Sequence, residues 1–147
     1  MMEPSDRRVW SDEDFEQLSW HDNRIRSIRV RNPAEGYDFE VEFDHILEWM
    51  PRGKRYRFLL APARLSFHDV TGGHVGFDLH YRQDLIILDI AREDIAGEAE
   101  RREGVRRWRF TLTLEMQRAP IVIEASGFTQ RLIGEPRECD GQTIDDD

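Results

Sequence analysis

"DFEVEFDHILEWM", residues 38–50, decides the fold. Phe39, Val41 and Phe43 alternate with Glu40, Glu42 and Asp44, and a period of two puts the apolar side chains on one face of a strand and the charges on the other. After Asp44 the pattern breaks. Ile46, Trp49 and Met50 fall at helical spacing, while His45, Leu47 and Trp49 continue strand spacing. A bulge, or a short helical turn capped by Asp44, resolves the conflict and either re-aims side chains at a site or turns a corner.

The same alternation recurs on both sides. Tyr56, Phe58 and Leu60 alternate with Arg55, Arg57 and Leu59; Val75, Phe77, Leu79 and Tyr81 alternate with Gly76, Asp78, His80 and Arg82; and Trp108, Phe110, Leu112, Leu114 and Met116 alternate with Arg109, Thr111, Thr113 and Glu115. Weaker strands are expected near 24–31, 64–68, 85–90, 121–126 and 129–133. Turn chemistry separates them at "NPAEG" (32–36), "PRGK" (51–54), "DVTGG" (69–73) and "RAP" (118–120). The charged excursion "REDIAGEAERREGVRR" (92–107) reads as a helical turn or a long hairpin tip. The expected fold is mainly β: a single-domain antiparallel β-sandwich or partly closed β-barrel of about eight or nine strands with at most a short helix.

With 147 residues and 17.5 kDa the chain has the length of one domain. Residues 1–17 are expected as a loosely ordered acidic arm in which "SDEDFEQ" forms one capped turn around Phe15. Residues 18–135 form the antiparallel β domain, and residues 136–147 a disordered acidic tail. A mean hydropathy of -0.69 and 35% charged residues leave no apolar run near the roughly 20 residues a membrane helix needs. The first residues lack the apolar stretch of a secretory signal. A soluble cytoplasmic protein is therefore expected. Cys139 alone provides neither an internal disulfide nor a cysteine-rich zinc site. Net charge -9 argues against nucleic acid as a general partner. Almost every cation is arginine, Lys54 being the sole lysine, which suits surface pairing with carboxylates.

Six residues stand out as a candidate functional cluster: His21, Asp22, Asp44, Glu48, His68 and Asp69, all at or near predicted strand ends. Neutral imidazole and carboxylate oxygen are ligands for a divalent ion when they converge at about 2 Å. A metal-activated water would then be the nucleophile of a hydrolase, with Glu48 as general base. The same residues also read structurally: Asp22 and Asn23 as turn formers, Asp44 as a cap, Asp69 as the opening of "DVTGG" and His68 as a solvent-facing side chain. The His-Asp pair, present twice, also gives its name to a class of metal-dependent phosphohydrolases, but those are all-helical with additional histidines in helical settings, and this chain alternates as strands. No nucleophile elbow, phosphate loop or Cys-x-x-Cys pattern is present, so no catalytic motif is recognised and no nucleotide or cluster cofactor is implied. Trp20, Trp49, Phe67 and Trp108 read as core aromatics, and Trp10, in the arm, as the tryptophan for a contact with another chain.

The runs "LSWHDNRI", "DHILEWM", "APARLSFHDV" and "ASGFTQRL", spanning Leu18 to Leu132, together resemble a family of small bacterial proteins without an established activity. The resemblance implies kinship without chemistry and points to the same residues. The leading functional expectation is a non-enzymatic binding or protein-interaction domain, with a protein partner or a second copy of the chain. By analogy alone it extends to small acidic bacterial proteins that neutralise a toxin. The metal-dependent hydrolase is the alternative, and a small apolar ligand inside a barrel a third reading.

Overall fold

The computed structural model describes residues 7–32, 36–79 and 83–144. Its strands are β1 (Val9–Ser11), β2 (Asn23–Arg31), β3 (Asp38–Arg52), β4 (Arg55–His68), β5 (Gly72–His74), β6 (Ile86–Asp94), β7 (Trp108–Leu114), β8 (Ile121–Ala125), β9 (Gly127–Leu132) and β10 (Arg137–Cys139). A 3-10 helix at Asp12–Gln17 and a short helix α1 at Glu98–Arg102 complete it. The fold is mainly β, as expected. No helix among the described residues is long and apolar enough to cross a membrane.

All strand pairs are antiparallel, in the order β1-β9-β4-β3-β2-β6-β7-β8-β5, with β10 also on β4. Strands β8 and β9 are separated in sequence by Ser126 alone, yet they lie near opposite ends of that order. The sheet therefore curls until its ends meet at Ser126, whose N–H donates to the His68 carbonyl at 2.9 Å. It is one curled sheet, not closed into a barrel. Inside the curl lie Val41, Phe43, Leu65, Phe67, Phe110, Leu112 and Ile121, all buried. Phe67 and Phe110 pack with ring centroids 4.8 Å apart. Each such side chain contributes about 1.5–3 kcal/mol when fully buried.

The two strands expected around Tyr56 and around 64–68 are one, β4. Pro62 lies inside it, at the seam where β10 (opposite 58–60) gives way to β9 (opposite 63–68). No strand asks for the missing N–H there, and the Pro62 carbonyl still accepts from Ile133 at 2.8 Å. The strand expected over 75–81 is a correction. Only Gly72–His74 pairs, with β8, and Val75, Phe77 and Leu79 leave the sheet exposed, while residues 80–82 lie outside the described residues. Alternation favours a strand only where a neighbour supplies a ladder and a core takes one face, and β5 is the sheet's outer edge. Gly73, at φ 135, brings its backbone so close to β8 that a Cβ would sit 2.1 Å from the Val122 oxygen. The turn "NPAEG" and the ends of the arm and tail fall partly on residues 33–35, 1–6 and 145–147, outside the described residues.

The arm and tail are seated on the sheet rather than loose where they are described. Strand β1 pairs with β9, Trp10 is only 8% exposed, and Phe15 packs on Trp20, Phe110 and Phe128. Asp12 accepts the Phe128 N–H at 3.0 Å, although burial pushes its carboxyl above the usual range. Arg7 beside Asp14, with the Ser11 N–H, holds that carboxyl below it. At the other end β10 pairs with β4, and Ile144 is 6% exposed. Both segments carry apolar side chains, Trp10, Phe15 and Ile144, that burial rewards despite their acidic surroundings.

Candidate functional site

The six candidate residues occupy separate places. His21 lies just before β2, with its Nδ1 3.0 Å from the Leu88 carbonyl and its Nε2 3.5 Å from Asp22. Asp22 has φ 67 and Asp69 φ 51, left-handed turn positions that Asp tolerates. Asp69 accepts from the Ser126 hydroxyl at 3.1 Å. His68 closes β4 with Nε2 2.9 Å from the Thr129 hydroxyl and Nδ1 3.5 Å from Asp38. Glu48 is exposed on β3 opposite Leu59. Among the described residues no group of three or more His, Cys, Asp or Glu side chains converges as a metal ion requires.

Asp44 is fully buried and its oxygens are occupied. Arg24 donates to Oδ2 through Nε and Nη2 at 3.1 and 2.9 Å, Arg26 donates to Oδ1, and the Ile144 N–H donates to Oδ2 at 3.0 Å. The Ile144 carbonyl accepts from both guanidinium groups, at 2.7 and 2.8 Å, and Gln142 reaches back to Asp22 at 3.1 Å. A carboxylate with four donors is satisfied in a place where an unpaired one would cost several kcal/mol. The knot therefore ties the C-terminal segment to β2 and β3.

Beside it, Asn23 and His45 form a second buried pair. The Ile46 N–H donates to Asn23 Oδ1 at 3.2 Å, which orients the amide so that Nδ2 donates to His45 Nδ1 at 3.0 Å. That bond requires a neutral ring with its proton on Nε2. Burial between Trp10 and Phe43 agrees, lowering the imidazole pKa to about 4.

The most accessible chemistry lies on the β3–β4 hairpin. Pairing with β2 stops at Asp44 and β9 meets β4 only from Ala63 onward, so the hairpin runs past its neighbours for about 25 Å of strand. Among the described residues the only strand flanking it there is β10, of three residues. The register slips between Ile46 and Glu48. In an unbroken strand Ile46 and Trp49 would face opposite ways; the extra residue, Leu47, turns Trp49 onto the face of Ile46. One apolar ridge results: Ile46, Phe58 and Leu60, buried under Ile144, then Trp49, Pro51 and Tyr56 toward the tip. Trp49 meets Phe58 at 4.8 Å and Tyr56 at 5.8 Å, both edge-on. At 45% and 51% exposure, Trp49 and Tyr56 are the uncovered end of the ridge.

The opposite face of the hairpin is cationic. Arg52 pairs across from Arg55, and Met50 from Arg57. Arg57 meets Glu138 at 3.4 Å and Asp140 at 3.2 Å, and Arg52 meets Glu138 at 4.0 Å. Among the described residues neither Lys54 nor Arg55 has an ion-pair partner. The sequence reads Trp49 as core and Trp10 as a contact residue; the structure buries Trp10 within the chain and leaves Trp49 half-exposed. Tyr56, Lys54 and Arg55 are not among the candidate site residues read from the sequence, although "RGKRYR" is a basic run in a chain of net charge -9. Comparison with known proteins finds no family model that matches the chain, no curated protein and no solved structure.

Proposed function

We propose that the chain is a non-enzymatic protein-interaction domain that docks a partner through the tip of the β3–β4 hairpin. The observation that carries this reading is the pair Trp49 and Tyr56, half-exposed yet braced against buried Phe58. Large aromatic side chains already held in place lose little freedom on binding and serve as interface anchors. A cytoplasmic setting belongs to the same proposal; a single cysteine in the sequence suits it.

The test is a photo-crosslinking amino acid at position 56 in the full chain, expressed in cells, with a second at Glu115 as control. A protein captured at position 56 and not at 115, whose complex rebuilt from purified components weakens at least about tenfold with Trp49→Ala, supports the reading. Equal capture at both positions, or an unchanged affinity in the variant, overturns it.

A further inference from the structure

The hairpin has an aromatic face and a cationic face, and the chain's own β10 shows what kind of strand suits both. Cys139 pairs opposite Phe58 and packs on the apolar cluster of Ile46, Phe58, Leu60 and Ile144. Its neighbour Glu138 points the other way, to Arg57 and Arg52. Around Cys139 the segment thus sends the acids Glu138 and Asp140 to Arg57 on one face and the thiol to the apolar cluster on the other, while Arg137 lies opposite Leu60. It uses the β4 edge of the hairpin. The β3 edge, residues 47–52, has no strand beside it among the described residues.

Resting on the interaction reading above, we propose that the partner segment is an extended peptide of alternating acidic and apolar residues, which adds as a strand to the free β3 edge at residues 47–52. Apart from Pro51, which has no N–H, the edge offers main-chain donors and acceptors to an incoming strand, and alternate side chains then decide which strand is accepted. On one face the incoming apolar side chains lie beside Trp49 and Pro51. On the other the acidic ones lie beside Arg52 and reach Arg55 and Lys54, while Glu48 at the base leaves the tip as the cationic end. Nucleic acid is the poorer match. A net charge of -9 repels a long polyanion, whereas a short acidic strand meets only the local "RGKRYR" field.

The experiment titrates the full chain into four fluorescein-labelled probes and reads anisotropy. They are an octapeptide alternating Glu and Leu, one alternating Lys and Leu, a block peptide of four Glu followed by four Leu, and a twelve-nucleotide oligothymidylate. The alternating acidic peptide is expected to bind at least about tenfold more tightly than the other three. Lys54→Glu with Arg55→Glu is expected to remove at least about tenfold of that affinity. Since neither cation has an ion-pair partner among the described residues, the double variant is expected to keep the thermal midpoint of the parent, which separates lost binding from lost folding. Bound alternating peptide is also expected to slow amide exchange at residues 47–52. Equal binding of the block peptide or the oligonucleotide, insensitivity to the charge reversal, or unchanged exchange at 47–52 each overturns the inference. The crosslinking result decides the broader reading separately: a partner that meets position 56 through a basic or neutral segment sinks the acidic-strand inference alone.

Discussion

Asp44, fully buried on β3, accepts the backbone N–H of Ile144, 100 residues further along the chain, at 3.0 Å. The same Ile144 accepts at its carbonyl from the two arginines that hold Asp44. Side-chain charge and main-chain dipole are thus interlocked, so the C-terminal segment is part of how the carboxylate is satisfied. Asp44→Ala leaves Arg24 and Arg26 facing each other without their shared anion, and is expected to cost about 3–5 kcal/mol in urea denaturation. A loss below about 1 kcal/mol would show that the guanidinium groups simply swing into water.

Ile144→Ala removes the aliphatic lid of the small cluster of Ile46, Phe58 and Leu60 while keeping the backbone bonds. The expected cost is about 2 kcal/mol, at the low end for such truncations because the cluster is small. Limited trypsin digestion is expected to cut after Arg137 much faster in this variant than in the parent; equal rates would mean that Ile144 does not hold the segment down.

His45 sets an acid limit on stability. Its pKa is depressed to about 4 by burial, against 6.5 for the free side chain. Between those values the unfolded chain binds a proton that the folded chain refuses, so this contribution is complete above pH 6.5 and falls as the pH drops toward 4. The shift amounts to about 3 kcal/mol. His45→Gln is expected to flatten the slope of unfolding free energy between pH 6.5 and 4; an unaltered slope would assign the effect to other groups.

Trp20 and Trp49 are expected to part company on truncation. Trp20 is buried against Phe15 and Phe128, and its indole N–H donates to Gln130 at 2.6 Å; its replacement by Ala is expected to cost about 3–5 kcal/mol. Trp49→Ala at the half-exposed hairpin tip is expected to cost no more than about 1–2 kcal/mol. Chemical denaturation of the two variants side by side checks the assignment, and equal losses would place Trp49 in the core after all.

Those two tryptophans also mark how far the sequence could be read. Alternation located β3, β4, β7 and the weaker strands because each buries one face, and it signalled a fault at "DHILEWM". It could not say that the fault is a bulge rather than a turn, and that difference sends Trp49 to the surface. Alternation over 75–81 misled, because a pattern within one segment carries no information about whether a neighbouring strand exists. Trp10 and Ile144 sit among acids, and local composition hides a partner that is distant in sequence. For His21, Asp22, Asp44, Glu48, His68 and Asp69, the turn chemistry of the two Asp-containing bends was legible. The partners that occupy Asp44 and His68 were not, since Arg24, Arg26, Asp38 and Thr129 come from other strands or from across a turn.

On the ribosome, the pairing of β1 with β9, in which Val9 lies opposite Arg131, sets an order of events. Trp10 and Trp20 emerge early, but β9 and its Gln130, which pair with or bond them, are made 110 residues after Trp20. At roughly 5–20 residues per second the wait is on the order of ten seconds. Through that interval both indoles lack Gln130, opposite Trp10 and bonded to Trp20 in the finished fold, and the acidic run "SDEDFEQ" lies between them.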